Sequence, residues 1–131
     1  LLSEAIPQSV ISNKRRTKSN LSKLQEIYDY IEMNYQKDLS LEDIAKHVSY
    51  NKHYLTRYFK SMTGMSVFTF LNDYRLNQAK WLLITTEKSM DDIAYEAGFQ
   101  STKRFHHVFK EVMGTSPLQY RKETKRGNEN D

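Results

Sequence analysis

Asn51-Lys52-His53-Tyr54-Leu55-Thr56-Arg57-Tyr58-Phe59-Lys60-Ser61-Met62-Thr63-Gly64 is the stretch on which the fold turns. Leu55, Tyr58, Phe59 and Met62 recur at i, i+3, i+4 and i+7, one apolar stripe of a helix. Asn51 supplies an N-cap side chain at its head, and Gly64 the residue type that closes a helix in the left-handed region. The opposite stripe is His53, Thr56, Arg57 and Lys60, without one acid. One face is therefore committed to a core and the other suits a polyanion, although a single such face is more simply a solvated surface.

Upstream, Ser40-Leu41-Glu42-Asp43 has capping-box spacing and leads into Ile44, Ala45 and Val48, a short helix. Before it, Asn20 is positioned to cap a helix with the stripe Leu21, Leu24, Ile27, Tyr28, Ile31 and Tyr35, ending near Asn34. Residues 1–19, with the basic run Lys14-Arg15-Arg16-Thr17-Lys18, lack periodicity and read as a linker or flexible arm. Downstream, Ser66 opens a longer helix carrying Val67, Phe70, Leu71, Tyr74, Ala79, Leu82 and Leu83, a rod of roughly 28 Å at ~1.5 Å per residue.

The same punctuation then returns. Ser40, Asp43, Ile44 and Ala45 are matched 49 positions later by Ser89, Asp92, Ile93 and Ala94. One residue inserted in the turn shifts the offset to 50, after which Phe59-Lys60, Gly64 and Ser66 match Phe109-Lys110, Gly114 and Ser116. Ser101 is placed to cap the second copy's longer helix, with Phe105, Val108, Phe109 and Val112 inward and Lys103, His106, His107 and Lys110 outward. A short capped helix followed by a helix with an acid-poor face, twice over, is the pattern of paired helix-turn-helix units. The expectation is an all-α fold of two such subdomains, 20–65 and 86–125, joined by a linker helix over 66–85, with a frayed tail at 126–131.

Composition narrows the function. Twenty Lys+Arg against 16 Asp+Glu give a net charge of +4, a lean toward anionic partners. With no Cys there is no disulfide framework, thiolate nucleophile or Cys-containing zinc site, as suits a cytoplasmic protein. No apolar run approaches the ~18 residues needed to span a bilayer. The chain opens on Leu1-Leu2, which reads as a piece of a longer polypeptide. No Ser/His/Asp order, phosphate-cradling glycine loop or metal-ligand spacing points to an enzyme or a cofactor; adjacent His106 and His107 diverge by ~100° on a helix and cannot chelate one ion. Trp81 and most of the Tyr and Phe residues read as core rather than as a platform for stacking bases.

These residues resemble the DNA-binding domain of the AraC/XylS family of bacterial transcription regulators. The likeness is carried by Ser40 to Ala45, Tyr54 to Lys60, Thr63 to Ser66, Arg75-Leu76, Ile93-Ala94, Gly98-Phe99, Phe105, Val108 to Lys110, Gly114, Ser116-Pro117 and Tyr120-Arg121. It runs from about Leu21 to Arg121 and implies seven helices, with recognition helices at 52–62 and 102–113 in successive major-groove segments of double-stranded DNA. It also implies RNA polymerase as a partner and a sensing or dimerisation domain upstream of Leu1. On this reading His53, Thr56 and Arg57, with Thr102, Lys103, His106 and His107, approach bases, while Lys52, Lys60 and Lys110 contact phosphates. Arg57 has the planar fork that pairs with guanine O6 and N7. The competing reading is a helical protein-interaction module whose basic faces bind an acidic partner.

Two departures from the family pattern stand out. Ser49 occupies a turn position where glycine is usual, and a left-handed backbone there costs roughly 1 kcal/mol. His107 stands where Arg57 stands in the first copy, so the first unit is expected to read bases more sharply than the second. If the histidines face DNA, protonating them in mildly acidic solution adds charge and tightens nonspecific binding.

Overall fold

The computed structural model describes the backbone of residues 8–130 and the side chains of residues 21–125 and Gly127. Seven helices follow in order, with no strand among the described residues: α1 (Gln8–Asn34), α2 (Leu41–His47), α3 (Lys52–Thr63), α4 (Val67–Thr85), α5 (Met90–Glu96), α6 (Thr102–Met113) and α7 (Pro117–Asn130). The expected helix heads hold. The hydroxyls or amide of Ser40, Asn51, Ser66, Ser89 and Ser101 each accept the backbone N–H three residues on, and Gly64 and Gly114 close α3 and α6 with φ of 80° and 75°.

The ends differ from expectation. Helix α1 begins at Gln8, so Asn20 lies inside it, and residues 8–19 of the expected arm have helical backbone. No Gly or Pro interrupts residues 8–34, and Lys, Arg and Gln are good helix formers, so a helix needs no apolar stripe to continue there. Residues 1–7 of that arm lie outside the described residues. At the other end α7 runs through Asn130 across the stretch expected to fray, tolerating Gly127 within it.

Two separate cores form, and α4 belongs to both. Val67 and Leu71 in its first half join Ile27, Ile31, Ile44, Ala45, Val48, Leu55 and Phe59; Leu76, Ala79 and Leu83 in its second half join Ile93, Ala94, Phe99, Phe105 and Phe109. The helix expected as a connecting rod is thus a wall of each unit. Three apolar residues expected in cores are exposed instead: Leu21, Val112 and Trp81, the last at 65%. Val112 yields its place to the neighbouring Met113, which packs against the second core. Trp81 lies between the residues by which α4 meets that core, Ala79 and Leu83, and faces outward.

The two turns superimpose in their bonding. Val48 N donates to Ile44 O and Tyr50 N to Ala45 O; 49 residues on, Ala97 N donates to Ile93 O and Phe99 N to Ala94 O. Between them Ser49 and Gly98 adopt φ of 62° and 92°. Ser49 is the one described non-glycine residue at positive φ, as expected of a serine in that turn.

The units meet at a joint built largely from main chain. Gln36 Nε2 donates to Glu96 O at 2.9 Å, while Arg75 donates through Nε to Tyr35 O at 2.9 Å and through Nη2 to Lys37 O at 2.8 Å. Gly98 lies against this joint so closely that an added Cβ would stand 2.2 Å from Tyr35 O. Burial presses the Arg75 guanidinium below its usual pKa, with Arg104 adding to that and Asp38 opposing it. A second buried arginine, Arg121, binds Leu83 O, Thr86 O and Lys88 O and so closes the end of α4.

Candidate nucleic-acid interface

Helix α3 presents His53, Thr56, Arg57 and Lys60 as exposed side chains opposite buried Leu55, Tyr58 and Phe59. The side chains of Arg57 and Lys60 make no hydrogen bond or ion pair with any described residue, so two full cations stand unneutralised on a face without acids. Thr56 Oγ1 donates to Lys52 O, one turn back, at 2.9 Å. Lys52 itself pairs with Glu42 of α2 at 3.7 Å.

Helix α6 repeats the frame with different chemistry. Lys103, Arg104, His107 and Lys110 are exposed, whereas His106 is half-buried and its Nδ1 lies 2.9 Å from Thr102 O. The Thr102 hydroxyl donates to Asp91 of α5 at 2.5 Å and is thereby engaged. Asp91 and Thr102 correspond by position to Glu42 and Lys52, so each unit clasps its first helix to the head of its second, once by a hydrogen bond and once by an ion pair. His107 Nε2 lies 3.5 Å from Glu111, both exposed. The face of α6 is therefore not acid-free, and its residue matching Arg57 already has a carboxylate beside it.

The expected residues fall as the repeat arranges them: His53, Thr56, Arg57 and Lys60 on one helix, Lys103, His106, His107 and Lys110 on the other. Lys52 and Thr102 sit apart in the clasps. Sequence reading passed over Arg104, an exposed cation on α6 whose charge reaches Arg75 at the joint. Its place beside Phe105 in a basic run was the available signal. No group of three His, Asp or Glu side chains able to hold a metal occurs among the described residues, and no described helix is long and apolar enough to cross a membrane.

Comparison with known proteins agrees with this layout. A family model described as a helix-turn-helix domain matches residues 44–123. The melibiose operon regulatory protein of Escherichia coli K12 is 34% identical over 121 residues, covering 88% of this chain and 40% of that protein. An uncharacterised helix-turn-helix transcriptional regulator of Staphylococcus aureus strain COL is 33% identical over 116 residues, covering 88% of this chain and 15% of that one. The chain thus spans well under half the length of these curated relatives. Among solved structures, the DNA-binding domain of AdpA, the global transcriptional factor, in complex with a target DNA aligns with a TM-score of 0.78 at 26% identity, covering 82% of this chain and 97% of that one. The C-terminal domain of AraT, a response regulator from Geobacillus stearothermophilus, aligns with a TM-score of 0.75 at 32% identity, covering 77% and 84%.

Proposed function

The chain belongs to the AraC/XylS family of helix-turn-helix DNA-binding domains, which regulate transcription and are not enzymes, and from that premise we propose that α3 and α6 enter successive major-groove segments of one duplex. The observation that carries this reading is the repeat of one frame. Equivalent turns, caps and α2–α3 or α5–α6 clasps hold two exposed cation-rich faces at equivalent places. Successive major grooves on one side of a duplex recur every ~34 Å, and a 19-residue α4, about 28 Å long, sets a separation of that order.

Within this arrangement Arg57 reads guanine, with His53 and Thr56 beside it. Lys103, His106 and His107 face the second segment, and Lys60 and Lys110 reach phosphates. Lys52 and Thr102 place their helices through the clasps more than they touch DNA. RNA polymerase, an upstream sensing or dimerisation domain of the same polypeptide and a cytoplasmic setting complete the reading, supported by relatives that are much longer than this chain and are named as regulators.

Selection of bound duplexes from a random pool is the direct test. Two short conserved segments about one turn apart are expected, with a guanine lost from the first when Arg57→Ala is selected in parallel. Enrichment of no sequence over random DNA at physiological salt, with binding that only falls as salt rises, overturns it.

A further inference from the structure

Thr56 and His106 occupy equivalent positions 50 residues apart, each immediately before the residue pair Arg57 and His107 that the repeat aligns. Each commits its hydrogen to its own helix. Thr56 Oγ1 donates to Lys52 O at 2.9 Å, and His106 Nδ1 faces Thr102 O at 2.9 Å. A carbonyl oxygen only accepts, so in the neutral imidazole this bond holds the hydrogen on Nδ1 and leaves Nε2 as a bare lone pair. A threonine hydroxyl whose hydrogen is engaged likewise offers only lone pairs outward. While His106 is neutral, two chemically unlike side chains at equivalent positions of the repeat therefore each keep an acceptor and no free hydrogen.

We propose that Thr56 and His106 are a matched pair of specificity residues that accept from the exocyclic amino group of adenine or cytosine, one such base in each half of the site. This rests on α3 and α6 being the recognition helices. In the major groove the base donors are adenine N6 and cytosine N4, whereas guanine N7 and O6 and thymine O4 only accept. An acceptor set against guanine or thymine meets a second acceptor, so the residue chooses which strand carries the amino base and rejects the reverse orientation. Arg57 has the opposite polarity, since it only donates. The first unit thus pairs a donor with an acceptor, a two-base code that either residue alone lacks.

The test uses the 131-residue chain on its selected duplex. Adenine is replaced by purine and cytosine by pyrimidin-2-one, which lack the amino group, and thymine by uracil, which lacks the methyl. Removing one amino group in each half is expected to weaken binding roughly 3- to 10-fold, the range for one hydrogen bond. Thr56→Val abolishes that sensitivity in the first half and His106→Leu in the second. His106→Thr retains it, because the threonine again bonds the carbonyl one turn back. Circular dichroism melting establishes that each variant is folded, and His106→Thr reports on its own should His106→Leu disturb packing. If the two substitutions change preference at pairs where uracil matters and the amino group does not, or where guanine faces the residue, the inference falls while base reading by α3 and α6 stands. If neither substitution changes preference at any pair, the recognition-helix assignment at these positions falls with it.

Discussion

Ser49 and Gly98 sit at the same point of the same turn, yet they answer to different constraints. Both adopt positive φ. At Ser49 that is the whole difficulty: the backbone is strained for a side chain, while nearby Lys23 Nζ binds Val48 O at 3.0 Å and steadies the turn. At Gly98 the space itself is missing, because the Tyr35 carbonyl of the other unit fills it. Equal local geometry therefore conceals unequal roles, one turn serving its own unit and the other also serving the joint.

The sharpest way to break this comparison is to exchange the residue types. Gly98→Ala is expected to cost at least about 3 kcal/mol, as left-handed strain and a collision with main chain combine. Ser49→Gly should instead stabilise by up to about 1 kcal/mol, and urea unfolding measures both. Similar small losses from both substitutions would mean that the joint yields easily.

The reading faces provide the next contrast. Arg57→Ala should lose about 1–3 kcal/mol of discrimination at a single base pair, whereas His107→Ala should lose less, because Glu111 already attends that imidazole. Base-by-base binding scans of the two variants decide it. Equal losses at all base pairs from Arg57→Ala would make it a phosphate contact. His107→Arg is the complementary experiment and should sharpen the second half of the site.

Smaller effects separate the helix heads. In the first unit the capping box is reciprocal, with Ser40 Oγ accepting from Asp43 N at 3.0 Å and Asp43 Oδ2 from Ser40 N at 3.1 Å. In the second, the Ser89 hydroxyl accepts from Asp92 N. Ser40→Ala should cost about 1 kcal/mol. The Ser40 backbone and hydroxyl bonds hold the Asp43 pKa below its ordinary value. A depressed carboxylate pKa stabilises the fold at pH above the ordinary aspartate range, and the contribution disappears as pH falls through the lowered value. The protection factors of the first amides of α2, corrected for intrinsic exchange, should therefore fall in acid more than those of α5, and the Asp43→Asn variant should lose this difference.

Much of this was legible in the sequence. Caps at Ser40, Asn51, Ser66 and Ser101, glycine stops at residues 64 and 114, and the 49-then-50 repeat all act within a few residues, where side-chain chemistry and backbone are directly coupled. The strained Ser49 was legible through the resemblance, which puts glycine at that turn position. Hidden were the contacts whose partners are main chain from far along the sequence. Arg75 and Arg121 read as family residues, but nothing local says that their guanidiniums bind carbonyls 33 to 40 residues away. Glu111 beside His107 is a pair four residues apart, which the sequence does offer and which an acid-poor reading of that face overlooks. That Trp81 faces outward is not shown by local sequence, since its stripe is apolar on both sides. The start of α1 at Gln8 is not marked in the sequence, because an amphipathic stripe shows where a helix is packed, not where it begins.

The joint between the units also governs how freely the chain can drift. Its acceptors are the carbonyls of residues 35, 37 and 96, groups that every amino acid carries, so only Gln36, Arg75 and Gly98 are held to a residue type. None of these three lies on a reading face. On the proposed reading, changes at residues 53, 56, 57, 106 and 107 would therefore rewrite the sequence preference of either half without altering the angle between them, and a new target would be acquired one half at a time.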